Sequence, residues 1–209
     1  MMSRLIDLKV VELLSARLCH ELVSPIGAIA NGVELLGEDD PEFVRDATAL
    51  IAQSARKAAQ RLQFYRFAYG SLATGNSGVA DPRELVGGLF DGGKVGCEWR
   101  ADALALPAEW LKLACNMVLL AAEALPRGGT ITVGSGSSTA PRLEVFGSAE
   151  VINVTEEGRA ALTLKVNLAD LTSRTVHGYF TARLAETLGA ALSLVELAPD
   201  RLGLVAASP

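Results

Sequence analysis

Histidine and cysteine are both scarce in this chain of 209 residues, which holds two of the first and three of the second. Two imidazoles, His20 and His177, cannot build a multi-histidine metal centre, so any mechanism that needs an imidazole has two candidates. Cys19, Cys97 and Cys115 are odd in number, lie far apart and form no C-x-x-C pair. A disulfide frame and a cysteine-rich zinc site are therefore not expected. An excess of positive charge is also missing. The net charge is −5 and the pI about 5.1, which speaks against a nucleic-acid partner. No apolar run is long enough to span a bilayer, and Asp7 and Lys9 interrupt any basic-then-apolar leader pattern. These absences predict a soluble, cytoplasmic protein that engages neither nucleic acid nor membrane. What the chain does have is apolar residues, 50% of the total against 21% charged, enough to bury a core.

The first seventy residues read as two long helices. Leu8, Val11, Leu18, Leu22, Ile26, Ile29, Val33 and Leu36 form an apolar stripe whose later steps alternate four and three, the pattern of a coiled-coil-like seam. Gly37 and the acidic run Glu38-Asp39-Asp40 end the first helix. Asp40-Pro41-Glu42 starts the second, with a capping carboxylate, proline in the first turn and negative charge at the positive end of the dipole. The second helix is expected to bury Val44, Ala47, Ile51, Ala58, Leu62, Tyr65 and Tyr69, and to turn Arg45, Arg56, Lys57, Arg61 and Arg66 elsewhere. At 1.5 Å per residue the hairpin is roughly 45 Å long. Two helices cannot enclose a core, so the stripe packs either within its own chain or, more economically, against a second copy in a dimeric four-helix bundle.

Gly70–Gly78 is small and uncharged, as a linker would be. The sequence thus divides into a hairpin over residues 1–72, a linker over 73–79 and an α+β region over 80–209. Within the last, Asp81-Pro82-Arg83-Glu84 caps a short helix to about Phe90. Strands are expected at Lys94–Arg100, Thr130–Val133, Arg142–Phe146, Ala160–Asn167, Leu192–Leu197 and Leu202–Ala206, with helices at Pro107–Leu125 and Val176–Leu188. Gly128-Gly129 reads as a turn.

The chemistry concentrates in Arg17-Leu18-Cys19-His20-Glu21-Leu22-Val23-Ser24-Pro25. At about 100° per residue, His20 falls roughly 160° from the Leu18/Leu22 stripe, so it is expected to face water midway along a helix. Neutral imidazole is a competent nucleophile. Glu21 is placed to orient the ring, while Arg17 and Ser24 lie one turn to either side, where a cation balances phosphoryl oxygens. Pro25 removes a backbone donor just beyond, at a cost of about 3 kcal/mol unless compensated. Below it Gly27, Ala28, Asn31 and Gly32 leave room for another helix to dock, and Arg61 stands near the level of His20. His177, at a helix start, is expected to cap or pack; Cys19 and Cys115 are expected to pack as small hydrophobes.

His20-Glu21-x-x-Ser24-Pro25 resembles the H-box of sensor histidine kinases, H-E-x-x-[ST]-P. The later region resembles their ATP-binding domain with its site erased. Asn116 matches the first N-box asparagine, but Leu120 stands where the Mg²⁺-binding one belongs. Val145-Phe146-Gly147-Ser148-Ala149 lacks the adenine-reading aspartate, and Arg174-Thr175-Val176-His177-Gly178-Tyr179-Phe180 has one glycine where several are needed. With Ala16-Arg17-Leu18-Cys19-His20 and Ile51-Ala52-x-Ser54-Ala55-Arg56-Lys57, the chain is similar to the ChpT-type histidine phosphotransferases of alphaproteobacteria. That resemblance implies an α+β protein: a hairpin forming a dimeric four-helix bundle and a degenerate kinase-like ATPase α/β sandwich. It implies relay of a phosphoryl group through phospho-His20, with Glu21 catalytic, Arg17 and Ser24 near the phosphate, and Pro25, Gly27, Ala28, Asn31, Gly32 and Arg61 meeting the receiver. It further implies no bound ATP, no resident metal, Mg²⁺ on the partner receiver, and partners such as the receiver domains of a CckA-like hybrid kinase and of CtrA- and CpdR-like response regulators. A divergent ATP-dependent kinase and a non-catalytic receiver-docking scaffold remain as alternatives.

Overall fold

The computed structural model describes residues 7–70, 81–136 and 141–207; the expected linker falls almost wholly outside them. Two long helices come first, α1 (Leu8–Leu35) and α2 (Pro41–Tyr69). Each starts on an aspartate whose side chain accepts a backbone N–H two residues on: Asp7 from Lys9 and Asp40 from Glu42, both at 2.8 Å. The helices pack side by side along small residues. Pro25 and Gly32 are buried on α1, and Ala47, Ser54 and Ala68 on α2, at seven-residue spacing on each helix. A Cβ on Gly32 would stand 2.6 Å from Ile51 Cγ1, so glycine is what lets the two backbones come this close. Helix α1 runs through Pro25 without ending.

Behind the hairpin follow α3 (Pro82–Phe90), β1 (Val95–Trp99), α4 (Ala101–Leu104), α5 (Ala108–Glu123), β2 (Gly129–Ser135), β3 (Arg142–Ser148), α6 (Glu156–Leu162), a 3-10 turn at Leu168–Asp170, α7 (Val176–Thr187), β4 (Ala191–Ala198) and β5 (Arg201–Ala207). The strands form one sheet in the order β1-β2-β3-β5-β4, parallel only between β1 and β2. That parallel pair needs a crossover, and α5 supplies it. Gly128 and Gly129 close the crossover with φ of +94° and +151°, and a Cβ on either would lie 2.4 Å from a carbonyl oxygen, of Lys94 or Ser148. The turn expected here is thus one that only glycine can make.

Helix α5 lies on the sheet and buries Trp110, Leu113, Met117 and Val118 against Ile131, Val133, Leu143, Val145 and Leu204. The last turns of α2 enter the same core: Phe64, Tyr65, Phe67 and Ala68 belong to it. The hairpin is therefore rooted in the sheet-bearing module.

The α+β order is as expected, with one element corrected. Ala160–Asn167, expected as a strand, lies instead in α6 and the turn after it. Thr155 caps α6 by accepting the Gly158 N–H at 3.1 Å, Glu156 and Glu157 sit at its positive end, and Ala161 and Leu162 are buried. The alternation Leu162-Thr163-Leu164-Lys165-Val166 imitated a strand, but the cap and the acidic first turn set the structure.

A second difference concerns the apolar stripe. Within one chain Leu8, Val11, Ile26, Val33 and Leu36 are exposed, Ile26 at 55% and Val33 at 54%. Leu62, expected to be buried, is also exposed at 53%, and Val23, Phe43 and Leu50 are exposed as well. The small-residue line runs down the centre of the hairpin's internal seam, with Leu22, Ile29, Val44 and Ile51 half-buried along it as expected, while the residues just named face outward.

Candidate functional site

Helix α1 carries His20 near its midpoint, and the residue is exposed, as the angle from Leu18 and Leu22 predicts. Among the described residues its imidazole forms no side-chain hydrogen bond. Ser24, one turn on, is exposed as well. Asn31 and Gly27 are exposed below, and nothing lies within 4 Å of the place a Gly27 Cβ would take; Ala28 is half-buried. These five residues offer one open stretch of helix.

Other expected site residues are placed differently. Glu21 turns from the ring toward α2, where its carboxylate pairs with Arg61 at 3.2 Å and its backbone carbonyl accepts from the same guanidinium. Arg61 sits on the seven-residue line of Ala47, Ser54 and Ala68, so it faces α1 and is half-buried there. The ion pair replaces the small-residue contact at this level and ties the two helices together beside His20. Pro25 and Gly32 are buried in the hairpin seam, which removes them from any surface open to a receiver. Cys19, expected to pack, is exposed; Cys115 is buried, and its burial pushes the thiol pKa up.

Arg17 departs furthest from expectation. Its guanidinium does not share the open face with His20 but reaches across to the sheet-bearing module. There it pairs closely with Glu123 at the end of α5 and donates to the Ser173 carbonyl at 3.4 Å. Glu123 also approaches His177 Nδ1, 3.4 Å away, short of hydrogen-bond geometry. His177 is wholly buried, as a packing residue. Its Nε2 lies 3.1 Å from Asn116 Oδ1. The Asn116 amide nitrogen donates to the carbonyls of Ala68 and Lys112, both at 2.9 Å, which fixes the amide so that its oxygen faces the imidazole. Nε2 therefore donates to Asn116, while Nδ1 is buried beside the Glu123 carboxylate without a hydrogen bond. Tyr69 packs edge-on to His177, ring centres 5.9 Å apart.

The electrostatics follow from burial. Desolvation pulls the His177 imidazole below its ordinary value, against the attraction of Glu123. Glu123 is resisted by burial but held below the usual carboxylate range by His177 and Arg17. Burial pushes the Tyr69 phenol up to about 12. The Arg17–Glu123–His177–Asn116 chain thus links the helix of His20, the crossover helix α5, the last helix α7 and, through Ala68, the end of α2. Sequence reasoning matched Asn116 to an N-box and left Glu123 unassigned. The signal was there: single polar residues inside the apolar helical run Leu113–Glu123.

Beside this network lies a cavity of about 370 Å³ between α5, α6, the start of α7 and the sheet. Leu120, Leu162, Leu194, Leu202 and Leu204 line it, with Arg17, Glu123 and Arg174 among its polar groups. No cluster of three or more His, Cys, Asp or Glu among the described residues is placed to hold a metal ion. No described helix is long and apolar enough to cross a membrane.

Comparison with known proteins bears on the whole chain. The family model of the histidine phosphotransferase C-terminal domain matches residues 79–198. A curated protein named protein phosphotransferase ChpT, from Brucella abortus (strain 2308), is 36% identical over 193 residues, with 90% of each chain covered. A solved structure described as a bacterial phosphotransferase at 1.7 Å is 33% identical, superposes with a TM-score of 0.79 and is covered to 98%, as this chain is. Similarity of that extent takes in both the hairpin and the sheet, and the chain belongs to the histidine phosphotransferase family.

Proposed function

We propose that the protein relays a phosphoryl group between receiver-domain aspartates through a phosphohistidine at His20. The observation that carries this reading is the exposed imidazole of the H-box motif, midway along a helical hairpin, in a chain related over nearly all its length to a phosphotransferase. In the transfer, His20 Nε2 attacks the phosphorus of a docked aspartyl phosphate in line; the N–P bond forms, the acyl P–O bond breaks, and the receiver carboxylate leaves. The reverse step passes the group to a second receiver. Positioning and charge balance do most of the work in such a transfer. The Mg²⁺ that neutralises the phosphoryl oxygens belongs to the receiver.

Attack leaves positive charge on the ring. Glu21 is the nearest carboxylate in sequence, and taking up the Nδ1–H would require it to exchange Arg61 for the imidazole. Arg17, engaged with Glu123, acts in this reading as an anchor for the helix that carries His20. Receiver contacts fall on Ser24, Gly27, Ala28 and Asn31. The outward apolar face of the hairpin supports a homodimer through a four-helix bundle, since Ile26 and Val33 have no cover within one chain.

The direct test mixes the protein with a phosphorylated hybrid-kinase receiver. Acid-labile, base-stable phosphate should appear on the wild type and be absent from His20→Ala, whose helical content stays unchanged. Labelling of the H20A variant to the wild-type level would refute the assignment. Labelling of the protein alone by γ-phosphate-labelled ATP would turn the reading toward a kinase.

A further inference from the structure

We propose that the cavity between α5, α6, α7 and the sheet is a binding site for a small organic carboxylate with an apolar body, an alkyl or aryl acid. The volume, about 370 Å³, falls in the range of small-molecule pockets. Its body is aliphatic: Leu120 from α5, Leu162 from α6 and Leu194, Leu202 and Leu204 from the sheet. Leucine at position 120 offers no oxygen to a hard cation, so a metal–polyphosphate group has no ligand there.

The polar lining decides the sign of the headgroup. Glu123 is engaged by Arg17 and faces His177, and its carboxylate is already neutralised by the first of these. Thr155 caps α6 through its hydroxyl, and the Thr175 hydroxyl is engaged with Thr172. The Asn153 amide is open but neutral, and two cationic donors remain unmatched. Arg174 lines the cavity, is exposed, and forms no ion pair or side-chain hydrogen bond among the described residues. Arg17 Nε is buried without an acceptor. Once internal pairs are removed the unmatched charge at the cavity is cationic, next to an aliphatic interior. An anion with an apolar tail satisfies both; a cation leaves the arginines unmatched, and a wholly polar ligand leaves the aliphatic lining uncovered.

This site is independent of phosphotransfer by His20, and its test does not use that activity. Full-length protein carrying ¹³C-labelled leucine methyls is titrated with octanoate, and in parallel with octylammonium and octanol. Octanoate should shift the methyls of Leu120, Leu162, Leu202 and Leu204 saturably. Arg174→Ala, a surface change that leaves the fold intact, should weaken octanoate roughly five- to tenfold, the scale of one solvent-exposed hydrogen bond, and leave octanol unchanged. Absence of saturable shifts at these methyls, shifts confined to leucines of the hairpin, octylammonium binding as tightly as octanoate, or unaltered octanoate affinity in R174A would each overturn the proposal.

Discussion

Helix α1 has 28 residues and buries only Pro25 and Gly32, while α5 has 16 and buries ten, among them Trp110, Leu113, Met117 and Val118. The module built on α5 is complete in one chain: its apolar residues meet the sheet, and its buried polar residue Asn116 finds partners. The hairpin is not. It holds itself together through glycine, alanine, serine and one ion pair, and leaves Val23, Ile26, Val33, Phe43 and Leu62 in solvent. Hydrophobic burial stabilises at roughly 25 cal/mol per Å² of apolar area, so covering those exposed residues would add to the stability of the first region. One part of the molecule is a finished core, the other half of one.

Substitutions should separate the two. The largest effect is expected from charging the open face. Ile26→Glu with Val33→Glu should convert the proposed dimer to a monomer in sedimentation, weakening association at least a hundredfold, while the near-ultraviolet signal of the module's tryptophans is kept. A monomeric wild type would break the comparison. Next, Leu113→Ala removes a fully buried side chain of the module and should cost about 2–5 kcal/mol in urea unfolding without changing the state of association.

His177→Leu should cost about 2–4 kcal/mol, because it strands the Asn116 oxygen. It also carries a pH signature. The folded imidazole binds its proton less readily than the unfolded one, so the unfolded state takes up the extra proton as pH falls below about 6.5. Wild-type stability should therefore decline from pH 7 toward pH 5, and the decline should be shallower in H177L. Glu123, held below its ordinary range, adds a further loss only at more acid pH, below about 4.5 and through its folded value. A wild-type stability flat from pH 7 to 5 would contradict the placement of His177.

The smallest effect is expected at Gly27. Alanine there meets nothing and should raise stability by about 0.5–1 kcal/mol through helix propensity. If receivers dock on this stretch, G27A should also slow phosphoryl transfer several-fold. Gain of stability with unchanged transfer would move the docking surface elsewhere.

These two regions differ in the same way in how much of them can be read from sequence. Helix limits, the aspartate caps and the exposure of His20 follow from local rules: periodicity, capping, and the angle between residues two apart. Most strands were legible too, since turns and alternation mark them. Pro25 and Gly32 were misread because a small residue invites close approach without saying by which helix, and the answer is α2 of the same chain. Arg17 was misread for a different reason. The periodicity fixes where its Cα points, but the far end of a long side chain goes to a carboxylate 106 positions away, and no local pattern encodes that pairing.

The rooting of α2 in the sheet has a practical consequence for hybrid proteins. A graft cut at Gly70 would carry Phe64, Tyr65, Phe67 and Ala68 away with the stalk and leave the recipient's interior moulded to foreign side chains. The workable crossover lies a few turns upstream, between Ser54 and Arg61, where the two halves of the chimaera would meet along the helix axis and each would keep the residues its own interior was shaped around.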